Sequence, residues 1–290
     1  MRAAVREALM PHALTTRPML ALPRLIALAG LALILFAGAA RAADRCADIA
    51  QSAETLHDGD QYQAAMLLFA AARFGCEHEA RALIDRGAAI DARDRDGATA
   101  LARSAEAGKL PLMRLFLERG ADVNARAVDG STPLFYAAEA DRGAAIELLL
   151  EGGADPNLPG RNGVRPLAAA AYNGSADSVE RLLKYGADPN ALDDAGKSAM
   201  IYAAGHAYAP IVALLIQAGV DVNRRYAHGL TALMWAAGHD ASAGVDDVEA
   251  TIKTLIAHGA DLDLKDDRGK TAADIARGLG HEEAAKLLAR

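Results

Sequence analysis

The sequence predicts an all-α solenoid of helix–turn–helix units joined by β-turn tips, and three observations predict it. Gly87, Gly120, Gly153, Gly186 and Gly219 stand 33 residues apart, with Gly259 a further 40 on. Each opens one phrase, as in Gly87-Ala-Ala-Ile-Asp91, Gly153-Ala-Asp-Pro-Asn157 and Gly259-Ala-Asp-Leu-Asp263. Between phrases the same order recurs: a polar turn, a short alanine-rich run, then a run with paired aliphatics. A fixed period of this size means one supersecondary unit stacked on copies of itself rather than a single closed core. A stack offers a long surface and no deep cleft, so binding is expected and catalysis is not.

The elements follow in order. Residues 1–42 read as a signal peptide: the apolar run Leu25 to Ala37 is preceded by Arg24 and followed by Ala40-Arg41-Ala42, with cleavage expected after Ala42. An uncleaved anchor is the alternative, and 13 apolar residues are short for a span of about 20. Met19 would start a conventional signal peptide. Asp44 to Leu56, within a segment 43–65, is expected to form one amphipathic capping helix. The repeat domain is expected over 66–290, with helix pairs begun at Met66, Thr99, Thr132, Arg165, Ser198, Thr231 and Thr271, seven in all.

Turn tips are expected at Asp94 to Gly97, Asp129-Gly130, Arg161 to Gly163, Asp193 to Gly196, Ala227 to Gly229 and Asp266 to Gly269. Asp and Asn bond their own backbone, and Gly supplies positive φ. Thr or Ser stands at the cap in Thr99, Thr132, Ser198, Thr231 and Thr271, with Arg165 in that place in the fourth unit, and Pro133 and Pro166 suit the first helical position. The glycine of the next phrase ends the second helix. The sixth unit carries seven extra residues near 240–246, expected as a polar loop between its two helices. Such an insertion reads either as part of a binding face or as neutral drift.

These residues resemble the ankyrin repeat, whose signature is Thr-Pro-Leu-His-x-Ala at a period of 33. Thr132-Pro-Leu-Phe-Tyr-Ala137 and Thr231-Ala-Leu-Met-Trp-Ala236 are the closest copies, although the signature histidine is absent from all six. The resemblance implies a protein-interaction module. It also places the variable position of the signature, here Arg103, Tyr136, Ala169, Tyr202, Trp235 and Ile275, on the side facing a concave groove.

With aromatics at 4% of the chain, two Tyr and the single Trp at equivalent positions stand out. They read either as interface anchors or as filling between repeats. Tyr172, His206, Tyr208, Tyr226, His228 and His239 lie near them on turn tips and helix ends, which makes repeats four to six the richest candidate surface.

Cys46 and Cys76 are the only cysteines. In an exported chain a bridge is favoured, and it would pin the capping helix to a helix–helix turn. Two separate buried thiols are the alternative. No nucleophile elbow, phosphate loop or recurring metal-ligand spacing occurs, so neither enzymatic activity nor a cofactor is expected.

Residues 1–42 hold five arginines against one glutamate, so their removal takes the net charge from −7 to −11. That acidity argues against nucleic acid and membrane surfaces and favours a basic partner. The expected molecule is an exported, bacterial-type, monomeric scaffold, periplasmic or secreted, that holds another protein. An immunity or inhibitor protein for an exported toxin or enzyme, and a host-directed effector, are the alternatives. Alanine- and arginine-rich usage is the feature that points to a GC-rich bacterium.

Overall fold

The computed structural model describes residues 44–57, 59–238 and 243–289. Residues 1–42, expected as a signal peptide, residue 43, His239 and residues 240–242 of the insertion lie outside them. Residues 44–54 are helical (α1). Seven helix pairs follow among the described residues: α2 (Gln61–Phe74) and α3 (Glu77–Asp85), α4 (Ala100–Glu106) and α5 (Leu110–Glu118), α6 (Pro133–Glu139) and α7 (Gly143–Glu151), α8 (Pro166–Tyr172) and α9 (Ala176–Lys184), α10 (Ala199–Gly205) and α11 (Ala209–Gln217), α12 (Ala232–Ala237) and α13 (Val245–Ala257), α14 (Ala272–Leu279) and α15 (Glu282–Leu288). The described residues contain no strand. Each first helix packs on the first helices before and after it, and each second helix does the same, giving two layers.

Small side chains set the spacing of the first layer. Ala71 and Ala72 recur as Ala137 and Ala138, Ala170 and Ala171, Ala203 and Ala204, and Ala236 and Ala237, all at 0% exposure. Helices that meet through alanine approach closely, and the larger side chains fill the space toward the second layer. There Leu112, Ile146, Leu149, Val179, Leu182, Ile211, Leu215, Ile252 and Leu255 are buried.

Caps explain where the helices begin and end. The hydroxyls of Thr99, Thr132, Thr231 and Thr271 accept the amide N–H three residues on, which satisfies one orphan donor of each first turn. Ser198 and Arg165 make no such bond. Instead Arg165 donates to the carbonyls of Asn157 and Leu192 at 3.2 and 2.8 Å. The ladder glycines have φ between +83° and +92°, a left-handed conformation that any Cβ penalises.

The repeated phrase also carries a polar ladder along one edge. Asn124 Oδ1 accepts the amide of Asp155 at 2.9 Å, Asn157 Oδ1 that of Asp188 at 2.7 Å, and Asn223 Oδ1 that of Asp261 at 2.8 Å. Asn157 and Asn223 donate through Nδ2 to the carbonyls of Gly186 and Gly259, both at 3.0 Å. Asn190 serves differently: its Oδ1 and backbone carbonyl accept from Arg224 Nη1 at 3.0 and 3.1 Å. One carboxamide in each of these repeats thus ties the phrase to the next unit, and in the first phrase the Asp91 carboxylate does so by accepting the Asp122 amide at 3.0 Å.

Two expectations are corrected. The first repeat helix starts at Gln61 rather than Met66, because the Asp60 carboxylate accepts the Gln63 amide at 3.0 Å and nucleates the helix early. The insertion is not a loop as far as residue 246, since α13 already begins at Val245. It ends two residues before its glycine, as α11 does, yet has 13 residues against nine. Asp246 and Asp247 lie in its first turn, where the helix dipole favours them. Among second-layer neighbours, α11 and α13 pack most extensively.

The ends are closed by polar faces. Glu282, Glu283 and Lys286 are exposed on α15. At the other end a Cys46–Cys76 disulfide joins α1 to the N-cap residue of α3.

Candidate protein-binding face

The face is organised by α10 and the turn before it. Asp193 Oδ1 accepts the amides of Ala195 and Lys197, each at 2.9 Å, which shapes the turn. Its other oxygen accepts the Tyr202 hydroxyl at 2.5 Å. The carboxylate that builds the tip therefore also fixes the phenol in the middle of α10. Burial pushes the Tyr202 phenol above its ordinary value, and the hydrogen bond and charge of Asp193 act in the same direction.

Rings from neighbouring repeats meet beside it. Tyr172 ends α8, 39% exposed, and stands edge-on to Tyr202 and His206 with centroids 5.7 and 4.8 Å away. His206 ends α10 and stacks on Tyr208 at 5.9 Å and 24°. Tyr208 precedes α11 and covers Gly174 of the previous repeat, where a Cβ would stand 2.7 Å from the ring. Glycine is required there twice over, since its φ is also +76°.

Trp235 extends the face onto α12. Its ring lies against Gly205, 3.6 Å from where a Cβ would sit. The Lys197 ammonium stands 5.6 Å from the Tyr202 centroid and 5.4 Å from that of Trp235, bridging the two rings by cation–π attraction. The indole N–H is buried with no acceptor among the described residues.

Five of the predicted residues, Tyr172, Tyr202, His206, Tyr208 and Trp235, thus form one aromatic face across three repeats. The others lie elsewhere. Tyr136 is 6% exposed, with Arg103 5.6 Å from its centroid and Phe135 edge-on at 6.5 Å. Arg103 is itself held by Asp94, Asp96 and Glu106 at 2.7, 2.6 and 3.1 Å. This position fills the space between repeats. Tyr226 lies under Arg224, 5.3 Å from its centroid, with its phenol buried. His228 is exposed at a tip with φ of 61°, and its carbonyl accepts the Asp267 amide at 3.1 Å. His239 lies outside the described residues.

Lys197, Asp193, Gly174 and Gly205 complete the face, and of these the sequence offered only Asp193, as the start of a turn tip. Lys197, Gly174 and Gly205 each lie within five residues of a ring, and Asp193 lies nine residues before Tyr202.

Family models agree with this architecture. A three-copy ankyrin-repeat model matches residues 47–127, 67–160, 125–193 and 167–246, and a single-repeat model matches 228–267. Together they span most of the chain. The chain belongs to the ankyrin-repeat family. Ankyrin repeats are protein–protein interaction scaffolds, which makes the aromatic face of this ankyrin stack its candidate contact surface. A search of curated proteins finds no match. Among the described residues, no helix of the ankyrin stack is long and apolar enough to cross a membrane.

Proposed function

We propose that this ankyrin-repeat protein is an exported, monomeric scaffold that captures a partner protein on the face of Tyr172, Tyr202, His206, Tyr208 and Trp235. The observation that carries this reading is the contiguity of those five rings across three repeats. Tyr and Trp bury large area at little conformational cost, and clustered rings of this kind dominate binding energy at protein interfaces. Tyr202 is held by Asp193 before any partner arrives, so less entropy is lost on binding. Binding, without a cofactor or a catalytic step, is the whole activity. The acidic balance of the chain favours a basic partner.

Affinity capture with residues 43–290 tests the face. Trp235→Ala and Tyr172→Ala should each lose the captured protein. Tyr62→Ala, an exposed tyrosine on α2, should keep it. Loss in all three, or in none, removes the assignment. Export is tested separately by fractionating the source cells and sequencing the N-terminus, which should begin at Ala43 in the periplasm or medium. A chain retained in the cytoplasm with its first 42 residues intact would end that part of the reading.

A further inference from the structure

The N-terminal end of the stack is closed by a short helix that one covalent bond ties to α3. In α1 only Ile49 is fully buried, at 5%, while Cys46, Ala53 and Leu56 of the same segment are partly covered. Two hydrogen bonds from Arg86 hold its far end, Nη1 to the Ala53 carbonyl at 2.5 Å and Nη2 to the Leu56 carbonyl at 3.2 Å. A helix shorter than about 12–15 residues is marginal in water by itself. Ile49 belongs to the same buried apolar core as Leu68, Phe69, Ala72 and Leu83 of the first helix pair.

The two sulfurs are unequally accessible. Cys76 is 2% exposed, whereas Cys46 is partly open to solvent. Cys76 is also the N-cap residue of the nine-residue α3, where first-turn amides favour a thiolate. Glu79, whose carboxylate lies within 4.8 Å of both sulfurs, and Glu77, also in the first turn of α3, oppose negative charge there, so the order of attack rests on the exposure of Cys46.

We propose that Cys46–Cys76 is a thiol-operated latch that opens by attack on Cys46 and frees α1 while the later repeats stay folded. An incoming thiolate bonds to Cys46 Sγ, the Cys46–Cys76 bond breaks, and its electron pair leaves as the Cys76 thiolate. A second thiolate then displaces Cys46 as a thiolate and carries away the external disulfide. Repeats contact only their neighbours, so uncapping one end does not propagate through the array. The cap is therefore closed in an oxidising compartment and open in a reducing one.

The experiment uses the full chain. After brief exposure to a small monothiol and alkylation, peptide mass spectrometry should find the mixed disulfide on Cys46 and the alkyl group on Cys76; the reverse pattern overturns the order of attack. Hydrogen exchange should then show protection over residues 46–56 falling by roughly a hundredfold on reduction, with α4 to α15 unchanged and reoxidation restoring the cap. Protection retained over 46–56 overturns the latch, and so does loss across all repeats. A doubly substituted chain, Cys46→Ser with Cys76→Ser, should match the reduced protein without any thiol.

Discussion

Replacing Gly174 by alanine separates two costs that the structure places at different glycines. Gly174 and Gly186 both have left-handed backbones, at φ of +76° and +84°. Alanine in that conformation costs about 1–2 kcal/mol. At Gly186 nothing lies within 4 Å of an added Cβ, so backbone strain is the entire penalty. At Gly174 the Cβ would stand 2.7, 2.9 and 3.0 Å from three carbons of the Tyr208 ring. The ring must move, which disturbs its stack on His206 and adds an overpacking cost of about 1–3 kcal/mol. Any effect of the new methyl on the unfolded chain is common to both substitutions and cancels in their difference. Urea unfolding should therefore place Gly174→Ala about 1–3 kcal/mol below Gly186→Ala. Partner capture should fail only in Gly174→Ala. Equal destabilisation of the two variants would refute the claim that Tyr208 is seated on the glycine.

Asn157→Ala removes bonds at 2.7 and 3.0 Å to the next phrase and should cost about 1–2 kcal/mol in urea unfolding, given their exposure. Asp266 should show a signature at low pH. Burial alone would raise its pKa, but the Lys270 amide, the Arg268 guanidinium at 2.6 Å and the Arg268 amide outweigh burial, and the net value is lowered. A depressed carboxylate contributes stability that is present above its unfolded value of 3.8 and is lost as pH falls through the lower folded value. Asp266→Asn should therefore flatten the acid limb of the stability curve measured by circular dichroism. At high pH, phenolate absorbance of the native protein should show Tyr136, Tyr202 and Tyr226 ionising above the ordinary 10.0, each because burial disfavours the charged form. Their contribution is complete below 10.0 and disappears as pH rises through the folded values. Tyr202→Phe should remove one phenol from that late phase.

Most of the stack was legible because its signals are local and obligatory. The ladder glycines require positive φ, and the threonines at 99, 132, 231 and 271 sit where first-turn amides need acceptors. The misreadings came from carrying the 33-residue period too far. It placed the first helix at Met66, although Asp60 offered a cap before Gln61. It also treated the whole insertion as loop, although Asp246 and Asp247 ahead of Val248 and Ile252 spell a helix start. The aromatic face was legible for a similar reason, since residues about one period apart, such as Tyr172 and His206, land side by side. Depth was not legible. Tyr136 and Tyr202 occupy equivalent positions, but Arg103 covers one and Asp193 presents the other, and those neighbours come from different stretches of chain.

The polar ladder shows how this protein tolerates a change of length. Elsewhere the Nδ2 bond of a phrase asparagine reaches a glycine 29 residues ahead, as from Asn157 to Gly186. In the unit with the insertion it reaches 36 residues ahead, from Asn223 to Gly259, at the same 3.0 Å. Seven additional residues are thus absorbed between two rungs without altering either rung. The stretch joining α12 to α13 is consequently a natural graft point. A tag or loop spliced there would lengthen one module and leave the phase of the whole array intact.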